Sequence, residues 1–565
     1  MAFAPRLSGR ALHAVARLSR TRAGARLLYE VFRAEAGFAD LERLPDHLLG
    51  DVPVDNRPLA GRAPRGGEGA LPLPRPPWSA TSETLGRAYR TGETTPVEIA
   101  LAALEAARGL AHRRPGFGPV LELADAAARQ DAEASADRWR RGAPRGPLDG
   151  VPTVIKEQTA VRGLPVRNGS DVTDVSPATQ DATCVARLRA AGAVVLGQTP
   201  MTELGMSPLG FNPKRGMPRN PHSAEHLAGG SSTGSGVAVA TGLVPFALGA
   251  DGGGSIRIPA SICGVFGLKP SWGRISRAGD ASVGSVAHLG PLASSTVDLA
   301  QVLEATCGHD PADRQTELAP PLEPGSLVRA LARGVRGLRI AVVESEWADA
   351  SPAVARAGRL AMRALEREGA VLVDVRLQLA RWAVAIGYLA IGLEDMAQQR
   401  ENLRRGAAYN EDLAVNYAVL GETTATQYVH AQRLRTGLRQ EVARAFGSVD
   451  LFALPTTATT AVRVTETEFE GGFVDARALG AMCRFAFLAN LTGLPAASAP
   501  LGLDEARLPI GFQLVGDAWD EATVLAATAH LERVGVAHVP RPRVTAEASL
   551  GAKESISSGG MGRAF

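Results

Sequence analysis

The sequence predicts an α/β protein: one large domain with a central mixed β-sheet covered by helices on both faces, preceded by a helical N-terminal extension. Segments with helical apolar spacing alternate with short apolar runs over most of the 565 residues, which favours a layered architecture with a parallel or mixed sheet. The composition, 45% hydrophobic and 21% charged, is typical of an ordinary globular protein.

Composition divides the chain into four regions. We expect a basic helical extension over residues 1–50, a proline-rich linker or surface strap over 51–80, the large domain over 81–540, and a disordered Ser/Gly-rich tail over 541–565. Prolines interrupt both helices and central strands, so the second region is not expected to form either.

Residues 1–29 contain six arginines and no acidic residue, with leucines between them. Two interpretations of this amphipathic pattern stay open. One is peripheral contact with a membrane surface, or a transit peptide; the other is a helix packed on the body of the protein. No apolar run reaches the ~18 residues that a membrane span needs.

Within the large domain, a Thr-Thr-Pro start predicts a capped helix over 96–108. Periodicity and glycine stops predict a helix over 183–191 before a strand over 193–196, and a helix over 351–368 before a strand over 371–375. An apolar run over 243–248 predicts a central strand. Its carboxyl end is where open α/β sheets bind ligands.

Several classes of function are excluded. A net charge of +3 without a basic stripe argues against nucleic acid as a partner. Four cysteines without CxxC spacing predict neither disulfides nor zinc, which favours a reducing, cytoplasmic location, with membrane association left open. His222 and His226 lie in a Pro/Gly-rich loop, where their spacing places nothing on one helical face, so we expect no metal site there.

A glycine-flanked serine follows the predicted central strand. Gly252, Gly253 and Gly254 precede Ser255, and successive glycines allow backbone N–H groups to converge as an oxyanion hole. A serine nucleophile needs a base, and Lys156 at the end of an apolar segment is the candidate, provided that burial lowers its pKa. On the residues alone, a structural glycine turn is an equally valid interpretation of the loop, and a lysine directed to solvent is the more usual interpretation of Lys156.

A second serine-rich loop contains Ser231 and Ser232. Gly230 to Gly234 match GxSxG, which would make Ser232 a nucleophile-elbow residue. The residues before this loop do not predict the strand that the elbow requires. The elbow is therefore weakly supported.

Three segments together resemble the amidase signature family. They are Gly150-Val-Pro-Thr-Val-Ile-Lys156, Gly229-Gly-Ser-Ser-Thr-Gly-Ser-Gly236 and Asp251-Gly-Gly-Gly-Ser-Ile-Arg-Ile-Pro259. The similarity extends from about residue 82 to 536. It implies an amidase-signature catalytic domain, and thus a serine amidohydrolase acting on a small-molecule carboxamide, with no metal or cofactor.

The resemblance also assigns site residues. Ser255 is the nucleophile, Ser231 the bridging serine after a cis peptide, and Lys156 the terminal base. Gly252 to Ser255 supply the oxyanion N–H groups. Ser232 is expected to hydrogen-bond in the Lys156 network, with Asp251 and Arg257 bracing the loop.

The substrate pocket is predicted from an aromatic-rich segment over residues 382–430. These side chains, with Met206, predict a pocket for apolar or aryl amides, although aromatic residues of this kind also form plain core. The aromatic candidates are Trp382, Tyr388, Tyr409, Tyr417 and Tyr428.

Other activities stay open at this level. One alternative is the A-type subunit of a tRNA-dependent amidotransferase, and another is a catalytically silent scaffold that keeps the fold. Ester cleavage as a side activity is compatible with the same nucleophile. We expect a monomer or a homodimer.

Overall fold

The computed structural model describes residues 6–52, 54–55, 57–62, 71–74, 77–113, 116–173, 175–282 and 284–551. Within these residues, eleven strands form one sheet and two short strands form a second. The strands are β1 (Leu7–Ser8), β2 (Glu122–Leu123), β3 (Pro152–Lys156), β4 (Val194–Thr199), β5 (Phe246–Asp251), β6 (Phe266–Lys269), β7 (His288–Ala293), β8 (Arg339–Val342), β9 (Val371–Asp374), β10 (Leu451–Pro455), β11 (Phe473–Val474), β12 (Ala496–Leu503) and β13 (Pro509–Gly516).

The large sheet is mixed, as predicted. Its strand order is β2-β4-β3-β5-β7-β6-β12-β13-β10-β8-β9. β4, β3 and β5 run parallel, as do β10, β8 and β9, and the other neighbouring pairs are antiparallel. Successive strand residues point to opposite faces, and every residue of β3, β5, β7 and β13 is buried, so both faces of the sheet are covered.

Twenty-two α-helices lie within the described residues. They are α1 (Gly9–Ser19), α2 (Arg22–Glu35), α3 (Phe38–Leu41), α4 (Ser82–Thr91), α5 (Pro96–His112), α6 (Asp125–Arg140), α7 (Thr183–Ala190), α8 (Thr233–Ala240), α9 (Arg257–Cys263), α10 (Thr296–Thr306), α11 (Ser326–Ala330), α12 (Glu344–Ala348), α13 (Pro352–Arg367), α14 (Ala383–Gln398), α15 (Arg400–Arg404), α16 (Glu411–Gly421), α17 (Ala425–Phe446), α18 (Glu466–Gly471), α19 (Ala476–Cys483), α20 (Phe487–Thr492), α21 (Glu521–Arg533) and α22 (Ala546–Gly551).

The predicted elements of the large domain are confirmed, with one shift. α5 begins with a capping box, in which Thr95 and Glu98 each accept a hydrogen bond from the other's backbone N–H. The helix–strand pairs α7–β4 and α13–β9 lie where the pattern placed them. The strand predicted over 243–248 begins three residues later, because Gly242, with φ of +72°, closes the turn after α8.

The N-terminal extension packs on the body of the protein. α1 and α2 contact α16, and Leu12 and Ala16 are buried in a cluster with Val415. On their outer faces, Leu27 and Val31 are exposed. Among the described helices, none has the length and apolarity needed to cross a membrane.

The proline-rich region is a surface strap where the structure describes it. Asp55 N donates to Thr436 Oγ1 at 3.2 Å, and Leu71 N donates to Ala332 O at 2.7 Å. The remaining residues of this region, 53, 56, 63–70 and 75–76, lie outside the described residues.

The tail differs from the disorder expected from residue 541. Residues 541–551 are ordered and include α22, which packs against α5. Ala546 N donates to Thr241 O at 2.8 Å, and the Arg541 guanidinium lies 5.4 Å from the Trp78 ring centroid. These contacts explain the order, and residues 552–565 lie outside the described part of the chain.

Candidate active site

Lys156 is the last residue of β3, the middle strand of the parallel group β4-β3-β5. Its side chain is buried, with 1% of the residue exposed. Nζ donates to Ser231 Oγ at 2.7 Å and to Ala250 O at 3.4 Å. Burial lowers the pKa of the Lys156 ammonium from 10.5 to about 7, although the negative charges of Asp280, Asp251 and Glu157 favour its protonated form. A large fraction of this lysine is therefore the neutral amine at pH 7.

Ser231 lies in the loop before α8 and follows a cis peptide bond from Gly230. The resemblance implied this cis bond. A Cβ on Gly230 would lie 3.0 Å from Ser207 O, so the chain passes too closely there for a side chain. Ser232 connects this loop to the candidate nucleophile through a backbone hydrogen bond, in which Ser232 N donates to Ser255 O at 3.2 Å.

The glycines before Ser255 fit closely against their neighbours. A Cβ at Gly252 would lie 2.6 Å from Ile391 Cδ1, and one at Gly253 would lie 2.4 Å from Phe487 Cζ. Gly254 has φ of +116°, which L side chains rarely adopt. The loop therefore leaves its backbone, rather than side chains, facing the site.

The predicted oxyanion donors are not equivalent. Gly254 N donates to Asp251 Oδ1 at 2.7 Å, so its N–H is already used, contrary to the expectation for Gly254. The amides of Gly252, Gly253 and Ser255 have no hydrogen-bond acceptor within the part of the chain that the structure describes. These three N–H groups are the ones available to a ligand.

Asp251 and Arg257 hold the loop from inside. Arg257 donates to Asp251 through Nε (3.0 Å) and Nη2 (2.9 Å), and both side chains are fully buried. Arg257 also donates to Asn490 Oδ1 at 2.6 Å and to Gln513 Oε1 at 2.5 Å. Burial raises the pKa of the Asp251 carboxyl, but Arg257 outweighs it and holds that pKa well below its usual range.

Ser232 does not hydrogen-bond to Lys156 in the described structure. Its hydroxyl donates to Ala250 O at 3.2 Å and accepts from Ala250 N at 3.3 Å. Lys156 also donates to Ala250 O, so the two side chains share an acceptor. Ser232 therefore stabilises the end of β5 and makes no direct hydrogen bond to the Lys156 amine.

The three triad candidates line one pocket. Met206, one of the predicted pocket residues, lines it as well. The sequence did not indicate several other lining residues, namely Gln158, Asn168, Leu204, Gly205, Ala281, Ser282, Ala287, Ile391 and Asp395. Helical periodicity could have grouped two of these lining residues, since Ile391 and Asp395 are four residues apart and share a face of α14.

The aromatic pocket is wrong as predicted, because none of the five aromatic side chains lines this pocket. Tyr409 and Tyr417 pack edge to face behind it, with ring centroids 5.2 Å apart. Tyr388 lines a separate apolar cavity under the N-terminal extension. The rings serve as core, which was the alternative interpretation.

The other two aromatic candidates lie away from both cavities. Trp382 packs near Gly37, and Tyr428 donates through its hydroxyl to Glu394 Oε1 at 3.3 Å. Glu394 in turn accepts from the Ser285 amide and hydroxyl. Both positions stabilise packing around α14 and α17.

Several known proteins are similar to this chain. The Amidase family model matches residues 114–525. A fatty acid amide hydrolase from Medicago truncatula is 34% identical over 458 residues, which cover 79% of this chain and 75% of that protein. The A-type subunit of glutamyl-tRNA(Gln) amidotransferase from Chloroflexus aurantiacus is 34% identical over 485 residues, covering 81% and 97%. The solved peptide amidase from Stenotrophomonas maltophilia matches with a TM-score of 0.69 and 26% identity, over 82% of this chain and 98% of that chain.

Proposed function

The chain belongs to the amidase signature family and is an amidase, and from this premise we propose that it is a serine amidohydrolase with Ser255 as nucleophile. The observation that carries the proposal is the 2.7 Å contact between the buried Lys156 amine and the Ser231 hydroxyl, in a pocket that Ser255 also lines. The neutral amine is a base at pH 7, which an ordinary lysine is not.

The proposed first half-reaction is a proton relay coupled to attack. Neutral Lys156 accepts the Ser231 proton as Ser231 accepts the Ser255 proton, and Ser255 Oγ bonds to the amide carbonyl carbon. Negative charge then develops on the carbonyl oxygen, where the free N–H groups of Gly252, Gly253 and Ser255 can donate.

Collapse of this intermediate breaks the C–N bond. The relay runs in reverse, so the proton on Lys156 passes through Ser231 to the departing amine, and an ester remains on Ser255. Water then attacks the ester by the same route. The acid product leaves, and Ser255 and the neutral amine are regenerated.

We also propose a preference for amides that are apolar or aryl next to the scissile carbonyl. Leu204, Met206 and Ile391 give the pocket an apolar wall near Gly252. The similarity to a fatty acid amide hydrolase supports an apolar acyl group. Turnover of a panel of aliphatic, aryl and peptide amides tests this preference.

The nucleophile is tested with an alkyl fluorophosphonate probe. We expect one label on Ser255, lost in Ser255→Ala, together with loss of amide hydrolysis. Ser282→Ala is the matched control, because Ser282 lines the same pocket. A label that persists in Ser255→Ala, or a wild-type chain that neither labels nor hydrolyses any amide, would reject the proposal.

A second candidate function is that of an amidotransferase component, favoured by the similarity over 97% of the Chloroflexus protein. Both candidates use the same nucleophile. Co-purification of a second protein required for amide cleavage would support the amidotransferase, whereas hydrolysis by the chain alone supports the amidohydrolase.

A further inference from the structure

Asp395 places a carboxyl group in the substrate pocket. It lies on α14, it is 2% exposed, and it lines the pocket beside Ile391. Oδ2 accepts from the Tyr417 hydroxyl at 2.5 Å. Oδ1 has no hydrogen-bond donor within the described residues, which leaves one carboxyl oxygen for a ligand.

Within the described part of the chain, no basic side chain forms an ion pair with this carboxyl. Among the described residues that line the pocket, Lys156 is the only base, and its amine is hydrogen-bonded to Ser231. The neighbouring ionisable groups behind the pocket are Tyr409, Tyr417 and the buried carboxylate of Glu203, which adds negative charge. Glu203 is satisfied by Ser170 Oγ (2.7 Å) and Asn410 N (2.6 Å).

The carboxyl is ionised under ordinary assay conditions. Burial raises the pKa of Asp395 to about 6, and the hydrogen bond from Tyr417 opposes that rise. At pH 7.5 the group is therefore mainly a carboxylate. A buried carboxylate without a cation is costly, so a cationic ligand group gains by binding there.

The position along α14 gives the approximate spacing between Asp395 and the Gly252 loop. Ile391 packs against Gly252, because a Cβ on Gly252 would lie only 2.6 Å from Ile391 Cδ1. Asp395 is one helical turn further, about 6 Å along the axis. With bonds of about 1.5 Å, an extended chain of about four to six bonds spans this gap.

We propose that Asp395 is a specificity-determining residue that selects amides carrying a protonated amine about four to six bonds from the scissile carbonyl. The proposal rests on the proposed function. Leu204, Met206 and Ile391 contact the apolar spacer, and Oδ1 of Asp395 accepts from the ammonium group. The ligand chemistry is thus an amphipathic amide with a cationic end.

The test uses two matched substrate pairs. The first pair differs on the acyl side: 5-aminopentanamide carries an ammonium group where hexanamide has its terminal methyl. The second pair differs on the amine side: N-(4-aminobutyl)acetamide carries an ammonium group where N-pentylacetamide has its terminal methyl. We expect wild-type kcat/KM to favour the amino member of at least one pair by about 10- to 100-fold, the range for a hydrogen bond to a charged group. Asp395→Asn should abolish that preference, so that the two members of the pair are hydrolysed with similar kcat/KM.

Tyr417→Phe, assayed at pH 9, is the matched control. It removes the hydrogen bond that helps to keep Asp395 ionised, but at pH 9 the carboxyl stays ionised without it and an alkylammonium stays protonated, so the preference should remain. Inhibition of the wild-type enzyme gives a second measurement that needs no variant: pentan-1-amine should inhibit at least 10-fold more strongly than pentan-1-ol. Equal rates within both pairs, or an equal loss on both members in Asp395→Asn, would overturn the proposal.

Failure of the proposed function is separately visible. In that case Ser255 carries no phosphonate label and hexanamide is not hydrolysed, whatever residue 395 is. A wild-type enzyme that labels on Ser255 and hydrolyses hexanamide at least as well as 5-aminopentanamide, with no preference in the second pair, contradicts only the role of Asp395.

Discussion

Replacing Lys156 by methionine should stabilise the protein while abolishing its activity. Methionine has a similar length and no charge, so it fills the same buried position. In the wild type, burial lowers the pKa of this amine from 10.5 to about 7. Between these pH values the unfolded chain holds a proton that the folded chain has released, so protonation favours the unfolded state.

The size of the effect follows from that pKa. A displacement of about 3.5 pH units corresponds to about 5 kcal/mol favouring the unfolded state at pH 7 and below. The penalty shrinks as the pH rises from 7 and vanishes near 10.5. Methionine removes it but loses the hydrogen bonds to Ser231 and Ala250, worth about 1 kcal/mol each. The net gain at pH 7 is about 3 kcal/mol.

Thermal unfolding measures this gain. For a transition of all 565 residues, the entropy of about 2.1 cal/mol/K per residue converts 3 kcal/mol into a Tm rise of about 2–3 °C at pH 7. At pH 10 the rise should vanish or reverse. A Tm that falls at pH 7, or a difference that is the same at both pH values, would refute the account of a neutral buried amine.

Two further predictions concern the relay. The kcat/KM for a neutral amide should rise through an apparent pKa near 7, because Lys156 must lose its proton to act as a base; a profile that is flat from pH 5 to 9 would contradict this. Ser231→Ala should lower kcat by about 10²- to 10⁴-fold with little change in KM, since it interrupts proton transfer; steady-state kinetics at pH 8 measure it, and a change confined to KM would be inconsistent with a relay.

The sequence predicted the proposed reacting groups because the chemistry of such groups restricts which residues can occupy their positions. The glycines before Ser255 occupy positions where any side chain would overlap Ile391, Phe487 or Ile258. Close packing therefore requires glycine at these positions, and this requirement makes the motif recognisable in the sequence. Lys156 was recognisable as the end of an apolar segment, which the structure shows as the fully buried strand β3. Alternating helices and strands likewise predicted the mixed sheet.

The pocket wall was not predictable in the same way. Whether Tyr409 or Met206 faces a ligand depends on how helices from distant parts of the chain pack, and local pattern carries no such information. The same applies to Gly254, whose N–H is taken by Asp251 through a turn of the loop. The order of residues 541–551 depends on contacts with α5 and Thr241, which lie hundreds of residues earlier.

The buried guanidinium of Arg257 has a consequence for biogenesis. Its acceptors Asn490 and Gln513 lie more than 230 residues downstream. During translation, a chain released short of residue 513 would contain the proposed nucleophile and its glycines, but the Arg257 cation would lack Gln513, and a chain released short of residue 490 would lack both acceptors. Hydrolytic competence should therefore arise late in synthesis, and fragments that end before β13 should be inert toward amides and toward the phosphonate probe.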